Sequence, residues 1–187
     1  MAFWGTDLGG ADGGDPKRKF RFKVTIGRQE NGFGFIWWAK SVDKPQVTIN
    51  HAEHKFFNQT FYFPGNVSWN EINMTLVDPA GDFDQAAALN KLVNDSGYDG
   101  PPASPNEKLV SISKNKAVDN LVSVTIDQID AEGDIIEQWT LKNPSLMKIE
   151  YSGLEYGSDE LTEITIAFKY DWAECTVGGT DFFKPGA

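Results

Sequence analysis

The sequence predicts a mainly β fold, an antiparallel β-sandwich or barrel of about eight strands with one flanking α-helix. Three observations predict it. Strict apolar-polar alternation recurs along the chain, as in Lys19 to Ile26 (KFRFKVTI), where Phe20, Phe22, Val24 and Ile26 alternate with Lys19, Arg21, Lys23 and Thr25. Turn signals such as Asn31-Gly32 and the AEGD of residues 131–134 separate these runs. Only one segment, GDFDQAAALNKLVNDSG, switches to helical spacing.

Taken in order, residues 1–18 read as an arm: the first sixteen hold five glycines, one proline and no alternation, yet carry Phe3 and Trp4, large aromatics suited to docking on a surface. Residues 19–42 read as a hairpin about Asn31-Gly32. Pro45 interrupts, and QVTIN and KFFNQTFYF, flanking HAEH, read as a second pair of extended segments reaching away from the body. In VSWNEINMTLVDP, Ile72, Met74 and Leu76 share one face, and Val67, Trp69, Glu71, Asn73 and Thr75 the other, with Asp78-Pro79 ending the strand.

The helix follows, capped by Asp82 or Asp84, with Phe83, Ala86, Ala87, Leu89 or Asn90, and Val93 on its apolar side and Gly97 closing it. YDGPPASPNEK reads as an extended loop. NLVSVTIDQID and IIEQWTL form a hairpin, MKIEYSGLEYGSD turns Ile149 and Tyr151 inward, and LTEITIAFKYDW closes the domain with Ile164, Ile166, Phe168, Tyr170 and Trp172 on one face. The domain therefore spans residues 19–172, and 173–187 form a C-terminal extension.

Composition narrows the function. A chain of 187 residues fits one domain, and a net charge of -10 argues against gripping a nucleic-acid backbone. The single cysteine, Cys175, excludes an internal disulfide framework and reads as a buried thiol. The start shows no basic leader with an apolar run, so a soluble protein made in a cytoplasm is expected, and the sequons at Asn58, Asn66, Asn73 and Asn94 read as chance. His51 and His54 in HAEH lack a third ligand and a helical setting. Asp78, Asp82 and Asp84 lack the calcium-hand loop and read as helix caps, GGADGG is no phosphate loop, and no G-x-S-x-G elbow is present. Carboxylates are plentiful but nothing singles out a catalytic pair, so no enzyme, cofactor or metal is expected.

The order KFRFKVTIG and WWAKSV, QVTINHAEHKFFNQTFYFPG, VSWNEINMTLVDP, a single helix, then LMKIEYSGLEYGSDELTEITIAFKYDW resembles the tail tube protein family of contractile bacteriophages (myoviruses) across roughly residues 19–172. The resemblance implies a barrel with a helix on its flank, six copies closing into a ring whose inner sheet crosses subunits, and rings stacking helically into a tube. It implies as partners the surrounding sheath, a baseplate tube initiator, a tail terminator, and a tape measure protein and genomic DNA in the lumen, with no membrane. The setting would be a virion tail assembled in a bacterial cytoplasm and used for DNA ejection.

Mapped to this sequence, the excursion and termini give ring-to-ring candidates Phe3, Trp4, Gln46, Thr48, His51, His54, Phe57, Phe61, Phe182 and Phe183. Strand pairing, within the subunit or across the ring, is expected to set Lys19, Arg21 and Lys23 against acidic positions such as Glu163 or Asp171. An acidic lumen would repel DNA, with Glu71, Asp127, Glu137, Glu150 and Glu163 as wall candidates. A nearer reading is the tube, or tube initiator, of a related contractile injection particle or baseplate. The rival from another class is a carbohydrate-binding β-sandwich using Trp37, Trp38 or Trp69 as a platform, although Trp37 and Trp38, as strand neighbours, point to opposite faces.

Overall fold

Ile72, Met74 and Leu76 fall on alternate positions of their strand, and each is no more than 1% exposed in a computed structural model that describes residues 16–27, 39–80, 84–98, 100, 111–121 and 123–185. That alternation recurs in Val24 and Ile26, Val124 and Ile126, and Ile164, Ile166 and Phe168, and these side chains form one buried cluster. Eleven strands are present among the described residues: β1 (Phe22–Ile26), β2 (Ala39–Val42), β3 (Val47–Phe56), β4 (Gln59–Trp69), β5 (Ile72–Val77), β6 (Val124–Ile129), β7 (Ile135–Lys142), β8 (Ser145–Tyr151), β9 (Glu163–Lys169), β10 (Trp172–Val177) and β11 (Thr180–Phe182).

They form a five-stranded sheet, β1-β6-β7-β10-β11, a four-stranded sheet, β2-β5-β9-β8, and a separate two-stranded ribbon, β3-β4. Every pairing is antiparallel. The two larger sheets share the core, which makes a sandwich rather than a closed barrel.

Helix α1 (Gln85–Asp95) starts at Asp84, whose Oδ1 accepts from the N–H of Ala87 at 2.8 Å. Asp78, just past β5, accepts from the N–H groups of Gln85 and Ala86 at 3.1 and 3.4 Å, so one carboxylate ties the end of a strand to the start of the helix. Gly97, at φ 99°, follows the helix end as expected; an added Cβ would also meet the Ser111 carbonyl oxygen at 2.9 Å. Asp82 and Phe83 lie outside the described residues.

Five features differ from the sequence reading. Among the described residues of the expected 19–42 hairpin, β1 and β2 do not pair with each other: β1 pairs with β6 and β2 with β5, in opposite sheets, each turning its apolar side chains to the shared core. The Asn31-Gly32 signal itself lies outside the described residues. A second helix, α2 (Lys114–Leu121), is present, with the Lys116 N–H donating to Ser113 Oγ; only Ala117 and Leu121 are buried, too few apolar positions to reveal the period.

VSWNEINMTLVDP is two strands, broken at Asn70 and Glu71. Tyr151 is exposed at the end of β8, its hydroxyl donating to Asn90 Oδ1 at 2.8 Å, while Ile149 packs against the core as expected. The supposed C-terminal extension is structural: β10 runs along β7, and Ala173 and Cys175, at 0% and 5% exposure, continue the buried alternation with side chains too small to announce it.

Truncating Ile166 to Ala should destabilise the unassembled subunit by about 2–5 kcal/mol, and Asp84→Ala by about 1 kcal/mol. Chemical denaturation below any assembly concentration measures both.

Candidate assembly interface

The ribbon β3-β4 has no core beneath it. All ten residues of β3 are exposed, as are all of β4 except half-buried Trp69. Alternation puts Val47, Ile49, His51, Glu53 and Lys55 on one face, with Tyr62, Val67 and Trp69 opposite them. The other face carries Thr48, Ala52, His54 and Phe56 against Phe61 and Phe63. A bulge between Ile49 and His51 shifts the register, and Gly65 sits there with the Asn50 carbonyl 3.2 Å from where a Cβ would stand.

At the tip, Phe57 is 91% exposed with φ 54°, an unfavourable setting for a bulky side chain, and its ring meets Phe56 edge-on at 4.6 Å. The base is held firmly. Asn70 N–H donates to the Gln46 carbonyl at 3.0 Å, Lys169 Nζ to the Trp69 carbonyl at 3.1 Å, and Thr48 Oγ1 to Asn70 Oδ1 at 3.3 Å. Trp69 packs against Tyr170 and Phe183 with ring centroids 6.0 and 5.4 Å away, and Phe183 also stacks on Trp139. Phe183 thus ties the ribbon base to the five-stranded sheet, and Phe182 lies exposed in β11.

Of the ring-to-ring candidates, Thr48, His51, His54 and Phe61 lie on the ribbon's exposed faces, Phe57 at its tip and Gln46 at its base. Phe3 and Trp4 lie outside the described residues. His51 and His54, three apart on one strand, point to opposite faces, and no group of three metal-binding side chains occurs among the described residues. Trp69 is a packed hinge, not an open sugar platform; Trp37 and Trp38 lie outside the described residues.

Of the cations of KFRFKVTI, Lys23 lies on β1 and faces the neighbouring strand of its own sheet, while Lys19 and Arg21 precede the strand. Lys23 stands opposite Asp127, which accepts from Gln138 Nε2 at 2.8 Å. Arg21 lies over the Phe20 ring, 5.6 Å from its centroid. Glu163 and Asp171, expected opposite Lys19, Arg21 and Lys23, have other partners within the subunit: Glu163 pairs with Lys40, and Asp171 with Lys114 at 2.8 Å and Asn143 at 2.9 Å. Within the subunit Glu163 is out of reach of β1 as a strand partner, since β9, which carries it, belongs to the other sheet.

Two wall candidates are buried in the single subunit: Asp127 and Glu137 are only 4% and 8% exposed, Asp127 on the sheet face opposite Ile126 and Glu137 on the same face as Trp139. Burial works against ionising Glu137, but hydrogen bonds from Lys17, Lys44 and Trp139 Nε1 outweigh it and pull its pKa from the ordinary 4.5 down to about 2. Lys44 Nζ and Trp139 Nε1 each lie 2.6 Å from Oε1, and Lys17 bonds Oε2. This cluster, missed in the sequence, draws on residues 120 positions apart.

Glu71 and Glu150 are exposed. The solvent face of the four-stranded sheet is balanced, not acidic. It carries Asn73, Thr75 and Thr165 beside a buried Ala167, with Glu150 paired to Lys148 at 2.6 Å and Glu163 to Lys40. Burial, then nearby Glu137, pushes the Cys175 thiol up, which keeps it un-ionised and unreactive. No helix among the described residues is long and apolar enough to cross a membrane.

No family model matches the sequence, and no curated protein matches it. Solved structures do match. A chain of the anti-feeding prophage baseplate superposes with TM-score 0.62 at 12% identity over 88% of this chain and 97% of that one. The chain shares its fold with subunits of contractile injection particles. A chain of the sheath/tube terminator of the extracellular contractile injection system PVC matches with TM-score 0.62 at 14% identity, over 88% and 99% of the two chains. One of the PVC sheath-tube complex in its extended state matches with TM-score 0.60 at 16% identity, over 87% and 92%. The resemblance read from strand order therefore holds for the fold.

Because Glu137 has its pKa lowered on folding, its stabilisation is fully present above about pH 4.5 and is lost as pH falls through about 2. Glu137→Gln should lower stability at pH 7, by at most on the order of 3 kcal/mol, and the gap to wild type should close between pH 4.5 and 2 in denaturation curves.

Proposed function

We propose that this chain is the structural subunit of the inner tube of a contractile tail, six copies closing into a ring and rings stacking through the β3-β4 ribbon. The observation that carries the reading is that ribbon, a two-stranded element with exposed Phe56, Phe57, Phe61, Tyr62 and Phe63. Two strands alone are marginal in water, and so much exposed aromatic surface marks a contact. A strained, exposed Phe57 at its tip fits the same role.

Ring closure follows from the sheet edges. β2 and β8 border the four-stranded sheet, and a head-to-tail contact that pairs one copy's β8 with the next copy's β2 removes both edges. The baseplate that this fold resembles is described with six-fold symmetry. The balanced solvent face of that sheet then becomes the lumen, with Glu71 at its rim and Glu150 on its wall; short hydroxyl and amide side chains give cargo little to bind. Sheath, tube initiator and terminator are the partners of such a tube, and its role is mechanical, with no catalytic residue.

In its specific form the reading is a phage tail tube through which a tape measure protein and genomic DNA pass. The balanced face favours a second form, the tube of an injection particle with another cargo, because the acidic wall expected for DNA repulsion is absent from this sheet.

Negative-stain electron microscopy across a concentration range should show rings with a central hole or tubes. Replacing Phe61 and Phe63 together by Asp should leave rings but abolish stacking. A strict monomer at every concentration, confirmed by light scattering, would contradict the reading.

A further inference from the structure

The β8-β9 connection, residues 152–162, is closed at its neck by a reciprocal pair of bonds. The Ser152 N–H donates to the Glu163 carbonyl at 3.0 Å, and the Glu163 N–H to Ser152 Oγ at 3.1 Å. A neck of this kind makes a compact surface loop, not a loose tether. Inside it the Ser158 N–H reaches back to the Glu155 carbonyl at 3.4 Å, which puts Tyr156 and Gly157 at the apex of a turn. Leu154 is 89% exposed, Leu161 70%, and Tyr156 lies wholly in solvent. Large apolar side chains clustered on a held apex mark a contact surface.

An apolar hollow of about 520 Å³ lies at the root of the ribbon. Val47, Ile49, Val67 and Trp69 of β3 and β4 form one wall, and Trp172 with Phe183 the other. Pockets of this size enclose whole small ligands, so a tyrosine and a leucine side chain fit together. Lys184 stands at the rim but is paired with Asp181 at 2.9 Å, so the hollow selects by apolar shape and not by charge.

The strand register puts loop and hollow at opposite ends of one sheet. At one end Leu76, Ile164 and Tyr151 lie side by side across β5, β9 and β8, and the loop springs from there. At the other, Ile72 pairs with Phe168, β4 runs into β5, and Lys169 holds the ribbon root. The seven residues of β9 separate the two, roughly 20 Å at about 3.3 Å per residue. The closed neck keeps the loop from crossing that distance to its own subunit's hollow. A knob and a hollow at opposite ends of one molecule meet between copies, and such a head-to-tail contact repeats without closing, as a stack requires.

We propose that the hollow at the ribbon root receives the β8-β9 loop of a second copy of this chain, with Leu154 and Tyr156 seated against Ile49, Val67 and Trp69. This rests on the reading of stacked rings and adds the surface on which one ring stands on the next. The hollow is continuous with the ribbon, since four of its walls are ribbon residues.

Cross-linking of the full chain tests it. Variants Tyr156→Cys and Val67→Cys are treated with a short bis-maleimide across a concentration range, with wild type, whose Cys175 is buried, as the blank. Each single variant alone should stay uncross-linked, their mixture should give a covalent dimer and nothing larger, and the double variant Val67→Cys/Tyr156→Cys should give a ladder. Leu154→Ser/Tyr156→Ser should raise the concentration at which rings stack by roughly tenfold, with the subunit's denaturation midpoint unchanged.

Absence of the mixed dimer would overturn the proposal. If electron microscopy shows rings in the same samples, only this contact falls; if it shows none, the tube reading falls with it. Dimers from Tyr156→Cys alone would make the contact symmetric and overturn the proposal as well. So would a dimer formed with Val67→Cys by Phe3→Cys and not by Tyr156→Cys, which would give the hollow to another copy's N-terminal arm. A mixed dimer and a ladder without rings would sustain the contact and sink the ring.

Discussion

The contact between the inner faces of the two large sheets is the constraint from which the rest of the molecule follows. Val24, Val124, Ile126 and Leu141 from one sheet and Ile72, Leu76, Ile164 and Phe168 from the other form a dry cluster sealed by Leu89 and Leu121 of the helices. A sandwich built this way uses one face of each sheet completely and leaves the edges unused. β8, seven residues long, pairs with β9 on one side and with no other strand among the described residues. Nothing in the core can satisfy that edge; another chain can. The ribbon is the same problem in stronger form, since its two strands satisfy each other's backbones but bury almost none of their side chains.

Electrostatics act locally within this frame. The chain's acidity suggests a uniform negative surface, yet the carboxylates of the sheets are largely matched: Glu137 by Lys17 and Lys44, Glu163 by Lys40, Glu174 by Lys142 and Asp171 by Lys114. Exposed pairs of this kind contribute little to stability and mainly neutralise the surfaces they occupy. Glu137 differs because it is buried under its partners and joins the segment before β1, the β2-β3 connection and β7. It joins both sheets at one side of the sandwich, which makes it an organiser there as well as a stabilising pair.

Much of the fold was legible because alternation is a local signal. Ile72, Met74 and Leu76, or Ile164, Ile166 and Phe168, announce their buried faces without any knowledge of their neighbours, and the β6-β7 hairpin and the Asp84 cap are equally local. Pairing is not local. Nothing in Phe22–Ile26 says that it pairs with Val124–Ile129 and not with the nearby Ala39–Val42. Elements whose buried residues are few or small escaped for a related reason: Ala117 and Leu121 in α2, and Ala173 and Cys175 in β10. At the candidate interface, the exposed ribbon could be read from Pro45 and two extended runs, whereas the partners of individual charges, set by folding across 120 positions, could not.

A cryo-electron microscopy reconstruction of the assembled protein, at a resolution that separates strands about 4.8 Å apart, tests the central claim most directly. The account predicts a six-fold ring in which the four-stranded sheet runs unbroken from β8 of one copy to β2 of the next, with the ribbon reaching the adjoining ring. A particle in which those edges face solvent, or in which the ribbon folds back on its own subunit, would contradict it.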